Sequence, residues 1–435
     1  MIKRILCLLI SIVFPVKSAV ALPIGGIITR GSGDISSNKN QTIITQNTNR
    51  LDINWQDFSI VSNETVIFNQ PDSDSLAINR VVGGIPSQID GVLNANGRIF
   101  VINDSGITFG GGAKINVGSL LATTHDVVEQ PDGTFFTEMG GYAQIVNNGN
   151  ISVSDGGFAI LAAPYVENDG FIKADLGEIH LASGTKSTLD LRGDGKFLFI
   201  LQDGSDIEVP EQKSVGVYQK GIVQARSGLV HIAAKKVNGV VSSVINLDGF
   251  IDATSFTPNG DGGNVLITSQ GHIDLKDNAV LDASANDNGN GGSVEVIATK
   301  IAVAREQGTM RSRGGSVSGD GGFMEFSGYD KLFVLGGNYD ATAINGKRGT
   351  ILFDPTDVII NGVGGGIGLL TLIDEFADVA TGAILDTLLE LSAADVVVQA
   401  TNDITVNTEL SFANGLNAFD QLTLQAGDDI IIRFC

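Results

Sequence analysis

A chain of 435 residues with 27 Lys and Arg against 49 Asp and Glu has a formal net charge of −22. That charge repels nucleic acid and anionic lipid at long range, so no nucleic-acid partner is expected. Its 56 glycines, nine prolines and 17% charged residues suit neither a helical bundle nor a disordered tail, and point to many short strands joined by tight turns.

The first segment reads as a secretory signal peptide. Lys3 and Arg4 precede an apolar run from Ile5 to Val16, and Ala19 and Ala21 stand at the −3 and −1 positions of a cleavage site. The apolar run is shorter than the ~20 residues that a spanning helix needs. Processing at Ala21 removes Cys7 and leaves Cys435, the last residue, so no intrachain disulfide forms and stability rests on burial and backbone pairing. The mature chain divides at about residue 250, into a less regular part (22–250) and a repeat-rich part (251–435).

Between residues 40 and 124 a series of short motifs follows. They include Asn54-Trp55-Gln56-Asp57-Phe58-Ser59-Ile60, Val66-Ile67-Phe68-Asn69-Gln70-Pro71, Asn79-Arg80-Val81 and Pro86-Ser87-Gln88-Ile89-Asp90-Gly91-Val92-Leu93. Next come Asn94-Ala95-Asn96-Gly97-Arg98-Ile99-Phe100-Val101-Ile102-Asn103, Gly106-Ile107-Thr108-Phe109-Gly110, Ala113-Lys114-Ile115-Asn116-Val117-Gly118 and Leu121-Ala122-Thr123-Thr124. In this order they resemble the haemagglutination-activity domain of filamentous haemagglutinin-type exoproteins, which leave the cell by two-partner secretion. The chain departs from that pattern at Asn103-Asp104-Ser105-Gly106-Ile107, where the family has Asn-Pro-Asn-Gly-Ile. Asp104 and Ser105 are turn formers, so the turn is expected to survive without the proline that would fix φ.

The resemblance implies an all-β, right-handed parallel β-helix whose N-terminal domain is captured by a partner outer-membrane β-barrel transporter. The secretion-recognition residues it implies are Asn94, Asn96, Gly97, Asn103, Asp104, Ser105, Gly106 and Ile107. It also implies a protein displayed on, or released from, the cell surface. Host-cell or bacterial surface receptors or glycans are then candidate partners.

Downstream, four glycine-turn units begin at Gly260, Gly289, Gly319 and Gly346, each followed by an alternating strand such as Val265-Leu266-Ile267 or Val294-Glu295-Val296. An Asp-Ala step recurs in the lead-ins, at Asp252-Ala253, Asp282-Ala283 and Asp340-Ala341. A period of two puts one set of side chains on a buried face, and a single unit cannot bury that face alone. Stacking the units gives a solenoid, roughly 65 to 100 Å long at ~4.8 Å per strand. The predicted buried set includes Val265, Ile267, Val294 and Val296. The stretch from Asp378 to Leu391 is expected to form a short helix decorating the rod. Strands continue to the last residues with no cap, which reads as a truncated family member with an open end.

Chemistry-bearing constellations are scarce. His125, His180, His231 and His272 lack metal-site spacing, and the alternation around His180 and His231 gives both a pleated outward position. There is no Gly-x-Ser-x-Gly motif. The clusters at Asn259-Gly260-Asp261-Gly262-Gly263 and Asn286-Asp287-Asn288-Gly289-Asn290 have calcium-loop composition but not the ligand spacing, and read as solenoid corners. The expectation is therefore an adhesin-like exoprotein with no enzymatic activity, cofactor or metal. Haem acquisition, a stalk for a growth-inhibiting toxin and a β-helical polysaccharide lyase or hydrolase remain as alternatives.

Overall fold

The computed structural model describes residues 22–139, 142–191, 198–202, 215–235, 243–361, 381–385, 393–410 and 421–433. All regular elements among them are β-strands, and nearly all pair in parallel with the equivalent strand of the next coil. Three sheets of 14, 13 and 12 strands run along the chain as the faces of a parallel β-helix. The signal-peptide residues Ala19 and Ala21 lie outside the described residues.

One coil shows the logic. The strand Phe250–Asp252 lies in the 12-strand sheet, Asn264–Ser269 in the 14-strand sheet and His272–Leu275 in the 13-strand sheet. The next coil repeats this with Val280–Asp282, Ser293–Ala298 and Ile301–Ala304, in register. Val265 stacks on Val294 and Ile267 on Val296, and all four are fully buried, as their alternation predicts. They belong to one apolar column running from Ile44 to Val406. Full burial of each Val, Leu, Ile or Phe contributes roughly 1.5–3 kcal/mol, so this column is the main stabilising element.

The recurring Asp-Ala step is a corner device. Ala253, Ala283 and Ala341 are fully buried, and each preceding aspartate uses Oδ1 to accept the backbone N–H two residues on: Thr254, Ser284 and Thr342, each at 3.0 Å. The Asp/Asn clusters of the glycine corners also turn their oxygens to the backbone. Asp261 Oδ1 accepts the Asn290 N–H at 2.7 Å, Asn290 Oδ1 the Asp320 N–H at 2.9 Å, and Asp320 Oδ1 the Lys347 N–H at 2.7 Å.

Two features break the parallel rule. At the N-terminal end Ile27–Arg30 pairs antiparallel with Arg50–Trp55, and Gly33–Ser37 pairs antiparallel with Gln41–Gln46, so the first coil is covered by chain running the other way. Farther on, His125–Glu129, Phe135–Met139, Lys186–Asp190 and Leu198–Gln202 form a separate four-stranded antiparallel sheet. Both excursions leave at the same corner, between the 14-strand and 13-strand faces. The extra sheet covers an outward apolar patch that includes Ile78, Phe100, Leu121 and Ile160, with Val127, Phe135 and Leu189 packed onto it. At ~4.8 Å per strand the 14-strand face is on the order of 60 Å long, just below the expected range, because these excursions and the long corners use chain without adding coils.

The helix expected at Asp378–Leu391 is not present where that stretch is described. Gly382–Leu385 is a strand inserted between Lys331–Val334 and Val358–Asn361. Parallel backbone pairing to both neighbours satisfies a short segment better than an isolated turn of helix. The rest of that stretch lies outside the described residues. In the last described coil Ile430 and Ile432 are 45% and 55% exposed. No described helix is long and apolar enough to cross a membrane.

Candidate secretion-recognition site

The eight residues singled out from the sequence occupy two corners, at opposite ends of the strand Arg98–Ile102. They are not gathered into one patch.

Asn103 ends the strand. Its side chain is fully buried, and Nδ2 donates to the Ile85 carbonyl and to Ser87 Oγ, both at 2.9 Å. Oδ1 accepts the Ser105 N–H at 3.0 Å, while the Asn103 carbonyl accepts the Gly106 N–H at 3.1 Å. Gly106 takes φ = 115°, a conformation that L side chains rarely adopt, so the glycine and the asparagine together form the turn in place of the missing proline. Ile107 then enters the core and pairs with Ser87 and Ile145. Of this group only Asp104 is exposed and Ser105 half-buried, with the Ser105 hydroxyl donating to Asp104 Oδ1 at 3.1 Å.

At the other corner Asn96 lies beside the backbone of Gln70, accepting its N–H at 2.8 Å and donating to its carbonyl at 2.9 Å. Gly97 donates its N–H to Gln70 Oε1 at 2.9 Å, and Gln70 Nε2 reaches Gln46 Oε1 at 3.2 Å and the Ser75 carbonyl at 2.9 Å. Asn94 Oδ1 accepts from Asn116 Nδ2 one coil on, at 3.2 Å. The motif amides therefore hold corners together. Gln46, Gln70, Asn79 and Trp55 complete the polar network; sequence reasoning quoted three of them inside motifs without assigning a role.

Above these coils a groove of about 540 Å³ separates the N-terminal strand from the extra sheet. Its charges are mixed. Arg50 meets Asp52 at 2.5 Å and Glu129 at 3.3 Å, Arg30 meets Glu129 at 2.5 Å, and Arg80 pairs with Asp126. The hydrogen bond from Arg30, with the Arg50 charge and against burial, holds the Glu129 carboxyl below its usual range.

Two of the histidines stand where the strand alternation puts them, but not in solvent. His180 and His231 do point outward from the 14-strand sheet, between inward Ile179 and Leu181 and between Val230 and Ile232, yet His180 is 2% exposed and His231 is largely covered. Their rings meet edge to face at 5.5 Å. Burial, reinforced by the neighbouring His180, lowers His231 to about 4, and burial lowers His125 to about 4 against the opposing pull of the Gly184 backbone carbonyl as an acceptor. Among the described residues no group of three or more His, Cys, Asp or Glu could hold a metal ion.

A parallel β-helix with an N-terminal antiparallel cover, an extra-helical sheet and amide-built corners defines the class of β-helical exoproteins. The TPS secretion domain family model matches residues 19–275, more than half of the chain, and the chain belongs to that family. It is thus an exoprotein of two-partner secretion, destined for the cell surface or the extracellular space, and the family implies a partner outer-membrane β-barrel. Among curated proteins it is 33% identical over 261 residues to a heme/hemopexin-binding protein of Haemophilus influenzae strain Rd, covering 57% of this chain and 27% of that protein. A second heme/hemopexin-binding protein of Haemophilus influenzae is 28% identical over 244 residues, 51% of this chain and 25% of that one. The chain thus spans about a quarter of these relatives. In fold it is similar to the HMW1 secretion domain from Haemophilus influenzae, with a TM-score of 0.66 and 20% identity over 94% of this chain and all of that one.

Proposed function

We propose that residues 22 to about 250 direct export, that the partner barrel reads the corners at Asn94–Gly97 and Asn103–Ile107, and that the exported chain is a surface-displayed or released binding protein of adhesin type. The observation that carries this reading is the secretion-domain match over residues 19–275, laid on coils whose corners the motif residues build. The matched family is defined by export and not by a reaction. The test is co-expression with and without the partner barrel, followed by assay of the chain outside the cell. Export that is indifferent to the barrel removes the proposal.

One observation favours a second reading of what the exported chain binds. Both curated relatives carry a heme/hemopexin-binding name, so haem acquisition is the alternative to adhesion. Purified chain is passed over immobilised haem and over hemopexin, and in parallel over host cells and glycans. Saturable capture by haem or hemopexin alone supports acquisition; capture by cells or glycans alone supports adhesion.

A further inference from the structure

The four-stranded extra sheet has two edges, and one of them, the strand His125–Glu129, opens into the groove beside Arg80. An edge strand normally offers unpaired N–H and C=O groups on which another chain can template. The hairpin register pairs Asp126 with Glu138 and Val128 with Phe136, and the 2.7 Å bond from Gln130 N–H to the Thr134 carbonyl sets which residues exchange hydrogen bonds. Main-chain groups of His125, Val127 and Glu129 therefore face the groove.

Side chains already occupy most of that edge. Thr123 Oγ1 accepts the His125 N–H at 3.0 Å. Asp126 Oδ1 accepts the Val127 N–H at 2.9 Å, and Arg80 Nη2 donates to the Val127 carbonyl at 2.8 Å, while Arg80 Nη1 is ion-paired with the same Asp126 Oδ1. One ion pair between coil and hairpin thus fills both the donor and the acceptor of the central edge residue. It is also within reach of solvent, with side-chain exposures of 32% for Arg80 and 59% for Asp126.

We propose that Arg80 and Asp126 are a removable guard on a strand-accepting edge, and that the strand they exclude is the Phe135–Met139 segment of a second, extended copy of this chain. That segment already pairs residue for residue with 125–129 on the opposite edge. Its Phe135 and Thr137 alternate onto the buried side, and a copy entering the groove would lay the same positions over Ile78. The guard therefore keeps a folded chain from recruiting unfolded copies of itself, without using a charge on the pairing strand of the partner.

The test uses the full chain and a fluorescent peptide of residues 134–139. Wild type should bind it weakly at low salt, and Arg80→Gln and Asp126→Asn should each bind at least about tenfold tighter. Adding Val127→Pro to Arg80→Gln should abolish the gain, because that N–H pairs only toward the groove and its loss leaves the hairpin ladder intact. Equal binding by wild type and both variants overturns the proposal. So does binding that survives Val127→Pro, which would mean that the peptide has replaced the chain's own strand. If both variants lose the hairpin by circular dichroism, the wild type is titrated with NaCl: peptide binding that rises, and is absent from Val127→Pro alone, supports the guard, and binding that does not rise overturns it.

Discussion

Inside the first coils the Trp55 indole N–H donates to Asn79 Oδ1 at 3.0 Å, and Asn79 Nδ2 continues to the Phe100 carbonyl at 3.2 Å. Both residues are essentially without solvent exposure, so each polar atom depends on the other. Asn79→Ala should destabilise by about 2–4 kcal/mol, since an orphaned buried donor or acceptor costs roughly 1–3 kcal/mol and a small void adds to it. Urea denaturation of Asn79→Ala, Trp55→Phe and the double variant should give a coupling of about 0.5–3 kcal/mol. Additive effects would mean that the pair is not coupled.

Export should discriminate within the motif at 103–105. Asn103→Ala breaks the links to Ile85, Ser87 and Ser105, whereas Asp104 is exposed and makes no contact with the core. Extracellular yield in the presence of the partner barrel should fall severalfold for Asn103→Ala and for the triple alanine variant. If the barrel reads the exposed tip, Asp104→Ala alone will lower export at unchanged melting temperature; if it reads the turn as a shape, Asp104→Ala will not.

Acid should weaken the fold before the carboxylates titrate. His125 and His231 have folded values of about 4, below their unfolded value of about 6.5, so the unfolded chain takes up protons first as pH falls. Their contribution is complete above pH ~6.5 and is lost progressively down to pH ~4, amounting to about 3 kcal/mol for each histidine at most. The urea midpoint should drop between pH 7.5 and 5, and His231→Gln should flatten that drop. A second loss follows at lower pH. Burial pushes Asp175 up, but hydrogen bonds from Arg226, Gln224 and Lys173 overcome it and hold the carboxyl at about 2, so its stabilisation disappears as pH falls from ~3.8 through that value.

Glycine corners should respond to alanine according to what the new methyl meets. A Cβ on Gly292 would stand 1.7 Å from the Gly263 carbonyl oxygen in the coil below, and one on Gly111 would meet nothing within 4 Å. Gly292→Ala should cost about 1–3 kcal/mol or more through displacement of a corner. Gly111→Ala should stay within about 0.5 kcal/mol, as surface changes generally do. Thermal melts of the two variants check the contrast.

The amino-acid sequence by itself determined the coil. The alternation at Val265, Ile267, Val294 and Val296 and the spacing of the Gly and Asp-Ala steps state which side chains are buried and where the chain turns, because both are local consequences of strand pleat and corner geometry. The turn at Asn103–Gly106 was legible from its turn formers Asp104 and Ser105, but the structure shows that the Asn103 side chain and the positive φ of Gly106 close it. Pairing partners were not legible. His125–Glu129 and Lys186–Asp190 alternate like coil strands, and a period of two does not say whether a strand lies parallel on the next coil or antiparallel in a hairpin. Only the tertiary structure decided that these segments leave the helix and cover Ile78, Phe100 and Leu121, and that Gly382–Leu385 joins a sheet. Stacking also left His180 a buried outward residue against His231 and Glu178, and the departing hairpin brought Arg80 to Asp126 across 46 positions of chain. Such contacts depend on which apolar surface is left uncovered once the coils have stacked, and no local pattern encodes that surface.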